Sequence, residues 1–240
     1  MTKKSGLRNG HDHHVHEFSR RAHSYIRHNI IQQKVAESLI ASIDTKPKQI
    51  LDLGCGAGAI YNLIDWDFTR FVGIDKADQM CSLHPVSPKV TLIHDDFEKE
   101  SLLKELGHFE IVISSSALQW ASDIEHLLQN IASITDEIAF AIFCDGTFRT
   151  IYEMTGIDSF LPDSNYLEKI LQRYFDADCH TRNYRLEFPD NLSKFRYIKE
   201  SGVSGGKRQL SVTETRKLIK AYPYSYLEFE VLFCRGKVKS

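Results

Sequence analysis

One nine-residue stretch, Ile50-Leu51-Asp52-Leu53-Gly54-Cys55-Gly56-Ala57-Gly58, constrains this chain more than any other. It reads as a short buried strand, then a glycine-rich turn, then a helix starting near Ala59. Glycines at 54, 56 and 58 reach backbone angles closed to other residues and let a ligand approach the main chain. The helix that follows directs its free N–H groups back at the same spot. Three glycines in five residues cost chain entropy on folding, so a tight turn with no ligand is the weaker reading.

The next question is which ligand. Gly54, Gly56 and Ala59 formally fit the dinucleotide pattern G-x-G-x-x-G/A. Asp52 argues against it, because a carboxylate beside the turn repels a pyrophosphate. It attracts a cation, such as the sulfonium and ammonium groups of S-adenosylmethionine. Asp75 closes the next apolar run, Phe71-Val72-Gly73-Ile74, about 20 residues on, where an acid holds ribose hydroxyls in nucleotide-binding sheets. With Asp52 and Asp75 at these spacings, the stretch resembles the cofactor signature of class I S-adenosylmethionine-dependent methyltransferases.

Alternating strands and helices follow. Strands are expected at Phe71–Asp75, Val90–Ile93, Phe109–Ser114 and Glu137–Cys144, with an amphipathic helix over Ile124–Ile134. Near-continuous apolar strands between such helices predict a parallel sheet covered on both faces. Asp52, Asp75, Asp96 and Ser114 all fall at strand carboxyl ends, where such sheets bind ligands. After Asp145, Thr147–Thr155, Ser164–Tyr174, Asn191–Glu200 and Thr213–Ala221 read as helices. Cys179–Phe188 and Tyr224–Cys234 read as a final antiparallel strand pair. Before the first strand, Ile31, Val35, Leu39 and Ile43 repeat every fourth residue within a helical pattern from Phe18 to Ile43. The expected fold is therefore α/β and Rossmann-like: a seven-stranded, mostly parallel sheet with helices on both faces.

The organisation expected is a His-rich tail at 1–17 and a single domain at 18–240. That domain divides into an N-terminal lid and helix (18–45), a cofactor-binding core (48–145) and a substrate-facing part (146–240). The chain of 240 residues has a formal net charge of −2, which gives no global pull toward nucleic acid or anionic membrane. No apolar run approaches the roughly 20 residues that span a bilayer. The first residues lack the apolar core of a signal peptide. Five cysteines without a C-x-x-C pair suit reduced thiols in a cytoplasm better than a disulfide frame or a zinc site. His11, Asp12, His13, His14 and His16 could capture a metal, but read better as a solvated tail or tag, and no metal is expected.

The fourth strand narrows the family. Phe109–Ser114 followed by Ala117-Leu118-Gln119-Trp120 resembles the malonyl-acyl-carrier-protein O-methyltransferases of biotin synthesis. So do Phe18-Ser19-Arg20-Arg21-Ala22 with Tyr25 and Gln32-Gln33, Phe160-Leu161-Pro162, Asp190-Asn191-Leu192-Ser193 with Lys199, and Tyr224–Phe229. Two departures stand out: Asn is usual where Ser115 stands, and Lys199-Glu200-Ser201-Gly202-Val203 replaces a Lys-Gly-Ile-Gly-like run.

The resemblance implies methyl transfer from S-adenosylmethionine to the free carboxylate of a malonyl group on acyl carrier protein, leaving S-adenosylhomocysteine. The cofactor residues it implies are Asp52, Gly54, Cys55, Gly56, Gly58, Asp75, Lys76, Met80, Asp96, Phe97, Ser114 and Ser115. Asp96 would meet the adenine amino group, with Phe97 and Met80 against the ring. Tyr25 lies on a segment able to fold over the cofactor, and Gln119 and Trp120 are placed to shape the acyl site. The substrate carboxylate calls for a cationic partner, and Arg149, Arg196 and Lys199 are the candidates. Segment 187–220 carries eight basic against four acidic residues, a face suited to an acidic carrier protein. A methyltransferase of a small free acid, like the trans-aconitate enzymes, shares the cofactor half. A non-catalytic interaction module keeping the fold is the other alternative.

Overall fold

A computed structural model describes residues 29–201 and 210–239. Tyr25 with its 18–25 segment, the His-rich tail, and Lys207 and Arg208 lie outside them. Seven strands form one sheet in the order β3-β2-β1-β4-β5-β7-β6. They are β1 (Gln49–Leu53), β2 (Arg70–Asp75), β3 (Val90–His94), β4 (Phe109–Ser115), β5 (Thr135–Phe143), β6 (Phe175–Glu187) and β7 (Tyr226–Val238). The first five pair in parallel; β7 runs antiparallel between β5 and β6.

The expected alternation appears as two cores, one on each face. In β4, Ile111 and Ile113 belong to one core and Val112 to the other. Full burial of each such side chain contributes about 1.5–3 kcal/mol. The face of Ile111 is covered by α1 (Ile30–Ala41) and α2 (Ala59–Leu63); the opposite face packs on α4 (Glu100–Leu106), α5 (Ile124–Ala132) and α7 (Ser164–Tyr174). A one-turn helix, α3 (Asp78–Cys81), follows β2. Besides α7, three helices lie in the described part after β5: α6 (Arg149–Thr155), α8 (Asn191–Glu200) and α9 (Val212–Ala221). Of these, α9 touches both α6 and α8.

Three readings change. The C-terminal strands are longer than the apolar pattern indicates. β6 begins at Phe175, and β7 runs four residues past Cys234, to Val238. β7 is sandwiched between two strands, so even its charged end, Arg235 to Lys237, is held by ladder pairing. Gly236 fits there because a Cβ on it would meet the backbone oxygen of Asp176 at 2.3 Å. Second, Cys179 and Cys234 are joined by a disulfide, contrary to the reduced-thiol reading. They are register partners across β6 and β7, with Cα atoms 4.3 Å apart, a proximity that spacing along the chain does not reveal. Third, the helix expected over Phe18 to Ile43 ends at Ala41 and excludes Asn29, while its 18–28 part lies outside the described residues. No helix among these residues is long and apolar enough to cross a membrane.

Candidate active site

The carboxyl ends of β1, β2 and β4 open into a cleft at the point where strand order reverses. Its floor is the glycine turn after β1. Gly54, Gly56 and Gly58 all have positive φ, at 77°, 51° and 84°. Gly54 and Gly56 face the cleft, whereas Gly58 serves as the N-terminal cap of α2 and packs under His84 and Pro85. One side wall comes from the β2 end: Asp75, Lys76, Ala77 and Met80. The other comes from the β4 end: Ser115, Ser116, Ala117 and Trp120. Phe97 adds an edge, and α1 closes the top with Asn29, Gln32 and Ala36.

Asp52 is the electrostatic centre. It is 1% exposed, and neither carboxylate oxygen has a hydrogen-bond partner. Burial, and then the charge of Asp75, push its pKa up to about 8. Asp75 is the better-satisfied acid. Its Oδ2 accepts from the Gly56 N–H at 2.9 Å and its Oδ1 from the Ala77 N–H at 2.8 Å. Burial raises its pKa too, against the pull of those two N–H groups. Asp96 forms an ion pair with Lys76 at 2.6 Å and accepts from the Glu98 N–H at 2.9 Å. Carboxylate oxygens carry two lone pairs each, so Asp75 and Asp96 both keep acceptor capacity. The Cys55 thiol, hydrogen-bonded to Cys81 and buried, is held protonated and acts as wall rather than nucleophile.

Not every expected residue reaches the cleft. Ser114 is fully buried, and its hydroxyl donates to the Leu53 carbonyl at 2.7 Å, tying β4 to β1. Ser115, one residue on, does line the cleft. Gln119 lies behind Ser116, donating through Nε2 to the Ser116 carbonyl at 2.7 Å. Trp120 stacks on Phe160 at 5.6 Å, 13° from parallel. The three cationic candidates stand away. Arg149 is 60% exposed and bridges Glu230 at 3.6 Å. Arg196 and Lys199 lie on the exposed side of α8. None of the three lines the cleft.

Sequence reading missed the roof and Ser116. Gln32 appears in the sequence only as part of a family-like segment. Its signal was position, a glutamine within the apolar stripe of Ile31, Val35 and Ala36. It is 8% exposed, its Nε2 donates to the Ser201 carbonyl at 3.4 Å, and its Oε1 is unpartnered. The buried unpartnered polar atoms of the cleft lining are thus mostly acceptors: Gln32 Oε1 and both oxygens of Asp52, with the Ser116 hydroxyl beside them. Buried acceptors without donors are costly. Grouped around a glycine turn, they suit a ligand rich in N–H groups and positive charge, and S-adenosylmethionine, with an ammonium and a sulfonium, fits.

Known proteins agree with this geometry. A family described as "Methyltransferase domain" matches residues 50–137. A malonyl-[acyl-carrier protein] O-methyltransferase from Haemophilus influenzae is 25% identical over 221 residues, covering 88% of this chain and 83% of that protein. A protein of the same name from Bacillus anthracis is 26% identical over 145 residues, and the match spans only about half of each, 56% of this chain and 54% of the relative. The solved YcgJ protein from Bacillus subtilis superposes with a TM-score of 0.60 at 13% identity, covering 86% of this chain and 99% of that one. Sheet order, glycine turn, orphaned Asp52 and these likenesses together support a class I S-adenosylmethionine-dependent methyltransferase.

Proposed function

We propose that this enzyme methylates the free carboxylate of a malonyl group carried on acyl carrier protein, in the early, pimeloyl-building part of biotin synthesis. The observation that carries the reading is the likeness to the Haemophilus influenzae protein of that activity. It extends through 88% of the chain, well beyond the cofactor core and into the substrate-facing part. The setting is the cytoplasm, where such a carrier is charged.

S-adenosylmethionine, when bound, supplies an electrophilic methyl group on a sulfonium. The chain's residues divide the holding of it. Asp52 and Gln32 Oε1 take the positively charged methionine end. Asp75 takes the ribose hydroxyls, and its hydrogen bonds to Gly56 and Ala77 fix its carboxylate for that task. Asp96, anchored by Lys76, takes the adenine amino group, and Phe97 and Met80 supply apolar surface for the ring.

The acceptor makes light demands. A carboxylate is ionised at neutral pH, so no general base is required. What remains is alignment and exclusion of water. The roof of α1 and the Trp120–Phe160 stack stand where they narrow access to the β4 side of the cleft. Tyr25 is proposed to complete that lid. Arg149, Arg196 and Lys199, exposed on α6 and α8, together with Arg216, Lys217 and Lys220 on α9, are proposed to meet the acidic carrier rather than the carboxylate itself.

The test offers malonyl-carrier protein, malonyl-coenzyme A and free dicarboxylic acids side by side, with methyl-labelled cofactor. Fastest transfer to malonyl-carrier protein supports the proposal. Fastest transfer to a free dicarboxylic acid moves the enzyme to the small-acid class.

A further inference from the structure

With the cationic candidates outside the cleft, the residue that receives the acceptor remains to be assigned, and the structure points to one. Ser116, directly after β4, has φ 63°, one of two described non-glycine residues with positive φ. Such a conformation costs on the order of 1–3 kcal/mol and persists only where the surroundings impose it. Here they do. The Ser116 N–H donates to the Ala141 carbonyl at 2.8 Å, its own carbonyl accepts from Gln119, and the next residue, Ala117, is pressed against the glycine turn. The backbone is held on both sides, which fixes the direction of the side chain.

The hydroxyl is buried and has no partner. That is unusual in this chain. Ser42, Ser82 and Ser133 donate to carbonyls three residues back, and Ser114 donates across to β1. A hydroxyl rotates freely to find a local acceptor, so an unpaired one beside a binding cleft points to a ligand. Its neighbours define the ligand's chemistry by contrast. The other buried unpartnered atoms of the cleft lining are Gln32 Oε1 and the Asp52 oxygens; with Asp52 ionised by the arriving cofactor cation, these only accept, and they repel a carboxylate. Lys76 lines the cleft but is paired to Asp96. Ser116 therefore carries the buried, unpartnered hydroxyl among the described cleft-lining residues.

We propose that Ser116 is the acceptor-binding residue, its hydroxyl donating to an oxygen of the substrate carboxylate; this rests on the carboxylate-methylation reading above. A neutral donor suits the chemistry better than an ion pair. The carboxylate loses its negative charge as the carbon–oxygen bond to the methyl forms and the sulfur–carbon bond breaks, its electron pair staying on sulfur. A cation held against the carboxylate would stabilise the starting state more than the transition state, raising the barrier. A single hydroxyl orients the oxygen at little such cost.

The decisive variant is Ser116→Gly. Glycine accepts the left-handed backbone without strain, so the substitution removes the hydroxyl and spares the fold; Ser116→Ala removes it but keeps the strain. Both are expected to lose about tenfold or more in kcat/KM for the malonyl thioester, the effect of one hydrogen bond to a charged group. By titration calorimetry, the same variants should bind malonyl-coenzyme A to the S-adenosylhomocysteine-loaded enzyme about tenfold more weakly. Affinity for S-adenosylhomocysteine alone should be unchanged. Wild-type kcat/KM in Ser116→Gly would overturn the proposal, as would an equal loss of S-adenosylhomocysteine affinity, which would place the hydroxyl at the cofactor. If the wild type prefers another carboxylic acid, the malonyl reading falls, and the same comparison with that acid still decides Ser116: a loss supports it and parity overturns it.

Discussion

A Cβ placed on Gly54 would lie 2.2 Å from the Cβ of Ala117. The floor of the cleft and the loop after β4 are therefore in backbone contact, and each sets the position of the other. Gly54→Ala should be severely destabilising, by about 3 kcal/mol or more, since it adds overpacking to a strained φ. Pairing it with Ala117→Gly should restore the overpacking part and leave the strain from a φ of 77°. Thermal melts of the two singles and the double check this. Strict additivity would show that the two positions do not touch.

Asp52→Asn should separate stability from binding. The folded-state pKa of Asp52, about 8, lies above its unfolded value near 3.8. Below the lower value both states hold the proton and the residue costs nothing. As pH rises from there to about 8 the unfolded chain ionises and the folded one does not, so stability is lost across that window and levels off above it. Asparagine lacks this slope. The variant should match the wild type near pH 4, gain on it steadily, and be more stable by several kcal/mol above pH 8, while binding S-adenosylmethionine more weakly. Parallel stability curves for the two proteins across this range would mean that Asp52 is not an unpaired buried acid.

The cofactor half was legible because its signals are local. Strand, turn and Asp52 occupy consecutive residues, and Asp75 sits at a fixed spacing on the next strand. The cleft walls at Lys76, Met80, Phe97 and Ser115 follow from the same topology. What sequence could not supply depends on register and side-chain direction. Ser114 and Ser115 differ by one residue and point to opposite sides of a strand, so only one reaches the cleft. The pairing of Cys179 with Cys234 needs the β6–β7 register. Arg149, Arg196 and Lys199 looked alike as charges; all three are exposed on α6 and α8, and no residue of either helix lines the cleft.

Arg149 illustrates the consequence. Its bridge to Glu230 is long and its side chain is 60% exposed, a setting in which ion pairs are worth about 0–1 kcal/mol. Arg149→Ala should leave the Michaelis constant for a small malonyl thioester unchanged. A rise of about tenfold or more would return Arg149 to the carboxylate.

The exposed bases of α9 carry a separate expectation. Reversing charge at Arg216, Lys217 and Lys220 should raise the apparent Michaelis constant for malonyl-carrier protein, with a smaller effect at high salt. S-adenosylmethionine affinity should stay the same. Equal loss with malonyl-coenzyme A would mean that these residues support the fold and not the carrier.

Everything in the active-site reading turns on Asp52 being held, protonated and unpaired, for a cationic cofactor. Titrating S-adenosylmethionine into the enzyme at pH 7 in buffers of different ionisation enthalpy measures the protons that binding releases. With a pKa of about 8 in the free protein, Asp52 is mostly protonated at that pH and should ionise when the cation arrives. Release of about one proton per cofactor is predicted, vanishing in Asp52→Asn. Binding with no proton release in the wild type would contradict it.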